Sequence, residues 1–270
     1  MSDTDRSQTM IVVIGEFTRA PGSASASLHE YLAGDFPNVV RAVADQFLIQ
    51  RLVVTTRVPD EGIDSFGAER GWSEAPDAVV QWAFSDEAGA LRAMSAGRSD
   101  GPFSTPQLDA LADPARRSLF AAREVLVSDA MPDDERWSGR LGGEAPVKLV
   151  VQNWKRPDLT FDQFTDHWRD VHGVMVDQLG AAMGYRRYVQ SHRVVSTSID
   201  EAARRASTRP SPDGGLTEVW FTNQATMHSE MASEAGRAAS VHFANDEGNF
   251  INPPSMTVFL ARERLEFDRS

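Results

Sequence analysis

Apolar and polar positions along this chain fall into two rhythms, and the order in which they follow one another is written twice. Met10-Ile-Val-Val-Ile14 is an unbroken apolar run of strand length, the pattern of a strand buried on both faces. After a polar loop from Pro21 to Ser27, the residues Leu28, Tyr31, Phe36, Val39, Val43 and Phe47 mark a helix that Pro37 is expected to break or kink. A strand at 49–58, a polar loop at 59–76, a strand at 78–84 and a helix at 86–96 follow. A loop holding Asp100-Gly-Pro-Phe103, a helix near 107–118 and a strand near 120–127 complete the first pass. Residues 128–146, rich in Asp, Gly and Pro and without an apolar period, read as a linker. The second pass starts with a strand at 147–154. The Thr160/Gln163 capping box then opens a helix whose stripe is Phe164, Trp168, Val171, Met175 and Leu179. A strand at 185–195, a polar loop at 196–214, a strand at 216–222 and a helix at 224–239 come next. A loop holding Glu247-Gly-Asn-Phe250 leads to the last strand, at 256–263.

One fixed offset aligns the two passes. Arg51 falls on Arg187, Val53 on Val189, Arg57 on Arg193 and Val58 on Val194, while Pro37 falls on Gly173, a breaker on a breaker. Each pass has the order β-α-β-β-α-β, that of a ferredoxin-like unit, whose helices cover one sheet face and leave the other bare. The expected fold class is therefore α+β, with two tandem ferredoxin-like units at 10–127 and 147–265, joined by the 128–146 linker. The units close their bare faces on each other as a barrel-like pseudo-dimer. Such a chain is either a monomeric pseudo-dimer or, with a second copy, a homodimer.

Composition narrows the function classes. The chain has 270 residues and a formal net charge of −12, which repels nucleic acid phosphates. It contains no cysteine, so disulfides, thiolate metal sites and cysteine nucleophiles are excluded. No apolar run is long enough to span a bilayer, and Met1 to Thr9 are polar, without a signal-peptide core. The expectation is a cytoplasmic, soluble protein with a disordered polar tip, no membrane partner and no nucleic acid partner.

Chemistry-bearing residues gather in the second pass. His172 sits beside the Gly173 breaker, about 60° from the centre of the apolar stripe at 100° per residue. It is either a partly buried cap or an acid–base group at a pocket rim; the first pass has Phe36 at that position. His167 lies about 140° from His172 on a regular helix and reads as a solvent-edge residue. Tyr188, Gln190 and His192 share one face of a strand, where the first pass has Leu52, Val54 and Thr56. Glu218 and Trp220 share a face of the next strand. If the register is symmetric about the 196–214 loop, His192 faces Glu218 and Gln190 faces Trp220, giving an imidazole–carboxylate dyad. A register slip of one residue would separate that pair, and an ion pair of Glu218 with Arg186 or Arg187 is the alternative. Either Asn153 or Trp154 faces the pocket, and Trp168 packs in the core. His228 and His242 read as solvated. Phe66 and Trp72 make the 59–76 loop a candidate lid; Arg204, Arg205 and Arg209 form either an attractor for an anion or a solvated run. No metal-site, phosphate-loop or dinucleotide motif is present.

The second half resembles the EthD family of dimeric α/β-barrel proteins. The resemblance is carried by Lys155-Arg156-Pro157, by Phe164-x-x-x-Trp168-x-x-x-His172-Gly173, by Tyr185-Arg-Arg-Tyr188-Val-Gln-Ser-His192, by Glu218-Val-Trp-Phe221, and by Phe250 with the final strand. It covers 147–265, and the first half is similar to a degenerate copy. The resemblance implies small enzymes, often without a cofactor, acting on aromatic, lactone or polyketide-like molecules. The expected activity is acid–base catalysis of the cyclase, dehydratase or isomerase type, with no cofactor. His192, His172 and Glu218 would be catalytic, and Tyr188, Gln190, Trp220 and Asn153 would hold a small apolar or aromatic substrate. A cofactor-free monooxygenase acting on a phenol or anthrone-like molecule, and a non-catalytic binding protein, are the alternatives; a haem-binding variant is a more distant one.

Overall fold

The computed structural model describes residues 10–96, 100–137, 145–207 and 213–269, with only the backbone of Phe66. The expected disordered tip at 1–9, the linker stretch 138–144 and Arg209 lie outside the described residues, as does the Phe66 side chain. Eight strands form the frame. They are β1 (Ile11–Phe17), β2 (Ile49–Arg57), β3 (Ala78–Phe84), β4 (Ser118–Asp129), β5 (Val147–Asn153), β6 (Arg187–Arg193), β7 (Gly215–Phe221) and β8 (Thr257–Asp268). They close an antiparallel barrel in the order β1-β3-β2-β8-β5-β7-β6-β4. The order around each half is the same, β4-β1-β3-β2 and β8-β5-β7-β6, and the halves join through β2–β8 and β4–β6. Closure leaves no strand edge unpaired, which is how a barrel satisfies its backbone groups.

Side-chain alternation divides every strand between lumen and outer face. Val12, Ile14, Val79, Phe120, Val150, Leu216 and Phe259 meet in the lumen as one apolar layer. Toward one end the lumen turns polar, and the side chains of Lys148, Glu218 and Glu263 lie there buried. The outer faces carry the helices. In the N-terminal half, Trp82 packs edge-on against Phe17, Phe36 and Phe103, filling the space between sheet and helices.

The structure departs from the sequence pattern in its connections. Pro37 does not kink a long helix; it sits in the first turn of Phe36–Phe47, after a separate helix Ser25–Ala33, where its missing N–H costs nothing. The expected linker is partly ordered, because β4 runs on to Asp129 and a helical turn follows at Asp133–Arg136. Both polar loops hold helices, Glu61–Arg70 and Thr197–Ala206. The two helices are exchanged between halves. Ile199, Ala202, Ala203 and Ala206 pack into the N-terminal core. Ile63 packs against the C-terminal one. The loop expected around Glu247-Gly-Asn-Phe250 is the last turn of the helix Glu234–Phe250.

Candidate functional site

The capping box is formed as the sequence predicts, with Thr160 accepting from the Gln163 N–H and the Gln163 side chain accepting from Thr160. Six residues further the helix changes character. From His167 to His172 it is a π turn, with the Gly173 N–H donating to the Trp168 carbonyl. An i→i+5 bond closes one turn, so residues five apart stack on one face. That geometry overturns the regular-helix expectation for His167 and His172, which reach the same carboxylate. His172 Nδ1 lies 2.9 Å from Asp246 Oδ2, and His167 Nε2 lies 2.8 Å from Asp246 Oδ1. Asp246 stands on Glu234–Phe250, in the stretch that reads from sequence as the end of a helix and a loop. Burial would raise its carboxyl, but the bonds from His172 and His167 outweigh burial and hold it below the usual range.

His172 is buried, 5% exposed, and lines a cavity of about 70 Å³ between sheet and helices. Its floor is the outer face of β5, β6 and β7, with Val151, Asn153, Tyr188 and Thr217. Its roof includes Trp168, Val176, Phe243 and Glu247. Asn153 Nδ2 donates to Thr217 Oγ1 at 2.8 Å, while its Oδ1 is buried without a partner among the described residues. Burial pushes the Tyr188 phenol up, so it remains a neutral donor. Burial also raises the Glu247 carboxyl, and the neighbouring Asp246 adds to that, against the opposite pull of His172 and Arg70. Glu247 therefore keeps its proton to higher pH than an ordinary glutamate. With Nδ1–H given to Asp246, His172 Nε2 is an acceptor, and it makes no hydrogen bond among the described residues. A base held in one tautomer by a carboxylate, beside a carboxyl that burial shifts upward, has the parts of an acid–base pair.

His192 does not face Glu218. The β6–β7 register pairs His192 with Gly215 and Val189 with Glu218, three residues away from symmetry about the loop. An odd slip puts the two side chains on opposite faces of the sheet. Between the two strands lies the helix Thr197–Ala206, which leaves the strand pair to dock on the other half. Glu218 points into the lumen, where it meets Lys148 Nζ at 2.5 Å and Gln81 Nε2 at 2.9 Å. Trp220 is also a lumen residue, donating to Glu263 at 2.5 Å. It pairs with Arg187, not with Gln190. The alternative Glu218 pairing with Arg186 or Arg187 is not formed either; these arginines bind Glu135 and Asp129.

Gln190 and His192 lie on the helix-facing side but behind Trp168. Gln190 Nε2 donates to the Trp168 carbonyl at 2.8 Å, which fixes its Oε1 as acceptor for His192 Nε2–H, also at 2.8 Å. The His192 ring lies 4.3 Å from the Trp168 ring, and its Nδ1 is buried without a partner among the described residues. Burial, helped by Arg169, drives its pKa down to about 4. Neutral and screened by Trp168, His192 braces the π turn from below. Among the other expectations, Trp168 is fully buried. His228 is tied to the buried Asp60 at 2.7 Å rather than simply solvated.

The frame is thus an eight-stranded antiparallel α/β barrel with a polar-ended cavity in its C-terminal half. Residues 156–254 match the EthD domain family, and the C-terminal half carries an EthD domain. The barrel is similar to that of an anthrone oxidase-like protein, at TM-score 0.56 and 10% identity, over 97% of this chain and 95% of that one. It is also similar to a candidate monooxygenase of Lactobacillus acidophilus NCFM, at TM-score 0.50 and 10% identity, over 97% of each chain. No curated protein matches the chain.

Proposed function

We propose that the protein is an enzyme that moves protons on a small aromatic, lactone or polyketide-like carbon acid held in the C-terminal cavity. The observation that carries this is the Asp246–His172 pair, with Nε2 of His172 bare at the cavity wall beside the raised carboxyl of Glu247. His172 Nε2 takes a proton from the substrate, and Glu247 returns one to the developing oxyanion or enolate. Tyr188, Asn153 and Thr217 orient the substrate's oxygen atoms. The aromatic and aliphatic walls hold its ring. Each well-placed acid or base contributes about 10²–10⁴-fold in rate, enough for enolisation, dehydration or cyclisation of an acidic substrate without a cofactor. The halves at 10–127 and 147–265 are, in this reading, tandem copies of one ferredoxin-like unit. The first copy gave up its cavity to Trp82 and Phe36.

A second reading uses the same base. The carbanion left by His172 would itself reduce O₂, as a cofactor-free monooxygenase requires. It is favoured by the aromatic and aliphatic residues of the cavity wall and by what the two similar barrels are named for. The test is a panel of phenols, anthrones and 1,3-dicarbonyl compounds, with product analysis and oxygen uptake. His172→Gln and Asp246→Asn should lower turnover by about 10²–10⁴-fold, and His192→Gln by far less. Equal turnover in His172→Gln and the parent protein would overturn the proposal. Oxygen consumed in step with product would select the second reading.

A further inference from the structure

We propose that the helix Glu61–Arg70, supplied by the N-terminal half, is the gate of the C-terminal cavity, and that Asp60 is its latch. The inference rests on that cavity being the ligand site. The segment packs on two apolar clusters, each of which shares residues with the cavity lining. Ile63 packs against the cluster that contains Val176, Tyr188 and Phe243. Trp72, just past the helix end, packs against the cluster that contains Trp168 and Ile251. Arg70 acts on the Glu247 carboxyl.

The gate is held lightly. Apart from Gly67, which is buried under the Trp72 ring, and the half-buried Ile63, the described side chains of this helix are exposed. A helix whose described side chains bury so little apolar surface opens at a small fraction of the global unfolding cost. Its exchanged counterpart, Thr197–Ala206, differs in the way that matters. Four buried residues at helical spacing seat it on a half with a filled core. One half is sealed by a tightly seated helix over packed aromatics, the other by a loosely seated helix over a cavity. A cavity near 150 Å³ holds benzene, so the cavity of about 70 Å³ must widen to take an aromatic ring.

Polar contacts hold the gate shut. Asp60, 5% exposed, caps the helix by accepting from the Ile63 N–H at 3.0 Å. Its other oxygen accepts from Gln224 Nε2 and His228 Nε2 of the C-terminal half, each at 2.7 Å. The first bond is internal to the gate; the other two cross to the opposite half and break when it lifts.

The absence of cysteine makes the test direct. Val176→Cys places one thiol on the cavity wall, and an aromatic disulfide reagent, 4,4′-dithiodipyridine, reports how often the cavity admits a ring. The labelling rate is compared at one pH in the latched protein and with His228→Ala or Gln224→Ala added, folding being checked by circular dichroism. A Val241→Cys protein, substituted at an exposed position, reports the reagent's own rate. Removing each cross-half contact should speed labelling at position 176 by about tenfold and leave labelling at position 241 unchanged. Equal rates at 176 with and without the latch contacts would overturn the gate. Labelling requires no turnover, so this outcome is independent of whether His172 acts as a base.

Discussion

Lys148→Met tests the assignment of Glu218 to the barrel lumen rather than to catalysis. The Lys148 ammonium is fully buried between Glu218 at 2.5 Å and Glu263 at 2.8 Å. Removing it leaves Glu218 with Gln81, and Glu263 with Arg136 and Trp220. Breaking a buried pair from one side costs about 3–5 kcal/mol, because a charge is left without a partner in a low-dielectric site. In a chain of this size, 1 kcal/mol moves the Tm by about 2–4 °C, so the Tm should fall by about 6–20 °C. Adding Glu218→Leu removes the stranded carboxylate and should recover most of the loss, as replacing both partners of a buried pair often does. Thermal and urea unfolding followed by circular dichroism measure both variants. Acid scans add a check. Burial would raise the Glu263 carboxyl, but Arg136 and Lys148 outweigh it and hold its pKa down to about 2. Its stabilising contribution is full above the ordinary glutamate range and is lost as pH falls toward 2. A single variant that loses less than about 1 kcal/mol, or a double variant no better than the single, would refute the buried-network account.

Three further outcomes are expected. His192 should remain neutral down to about pH 4 in an NMR titration. Its unfolded form binds a proton below about 6.5, so the fold loses stability as pH drops from there to 4, and His192→Gln should flatten that slope. Gly215→Ala should cost several kcal/mol by urea unfolding, since φ is +146° and a Cβ would lie 2.1 Å from the Ser191 carbonyl oxygen; Gly248→Ala, with open space around it, serves as the control. Nitrogen NMR should show His172 as the Nδ1–H tautomer in the parent protein, with that signature lost in Asp246→Asn.

What was legible in the sequence followed from patterns that need only neighbours along the chain. Strand positions come from apolar runs and alternation, and the helix start at Thr160 comes from its own cap. The repeated order of elements emerges from the fixed offset between the halves. The parts that escaped depend on contacts across the chain. Ile199, Ala202, Ala203 and Ala206 have helical spacing, yet three of them are alanines among charged residues. The stripe is therefore visible only against the surface it covers. The β6–β7 connection holds that docked helix instead of a simple loop, so the symmetric pairing of His192 with Glu218 had no local signal against it. The π turn escaped for a similar reason. It takes the Gln190 amide and Asp246, from two other elements, to hold Trp168, His167 and His172 in it. Asp246 itself fell where the helix was read as already ended. His172 was within reach because the first half has Phe36 at the matching place, and Asn153 because it ends a strand where one of two neighbours had to face the pocket.

Closing the barrel also determines what each half is on its own. Severed from its companion, the first half would present β2 and β4 as raw margins, and the second β6 and β8. Each would carry a crossover helix that belongs on the other. Such pieces invite wrong strand partners when kept apart. Produced together from two separate genes, they have one well-matched mate apiece. The split protein should then reassemble as a heterodimer, with the helix Glu61–Arg70 seated again on the half that holds the cavity.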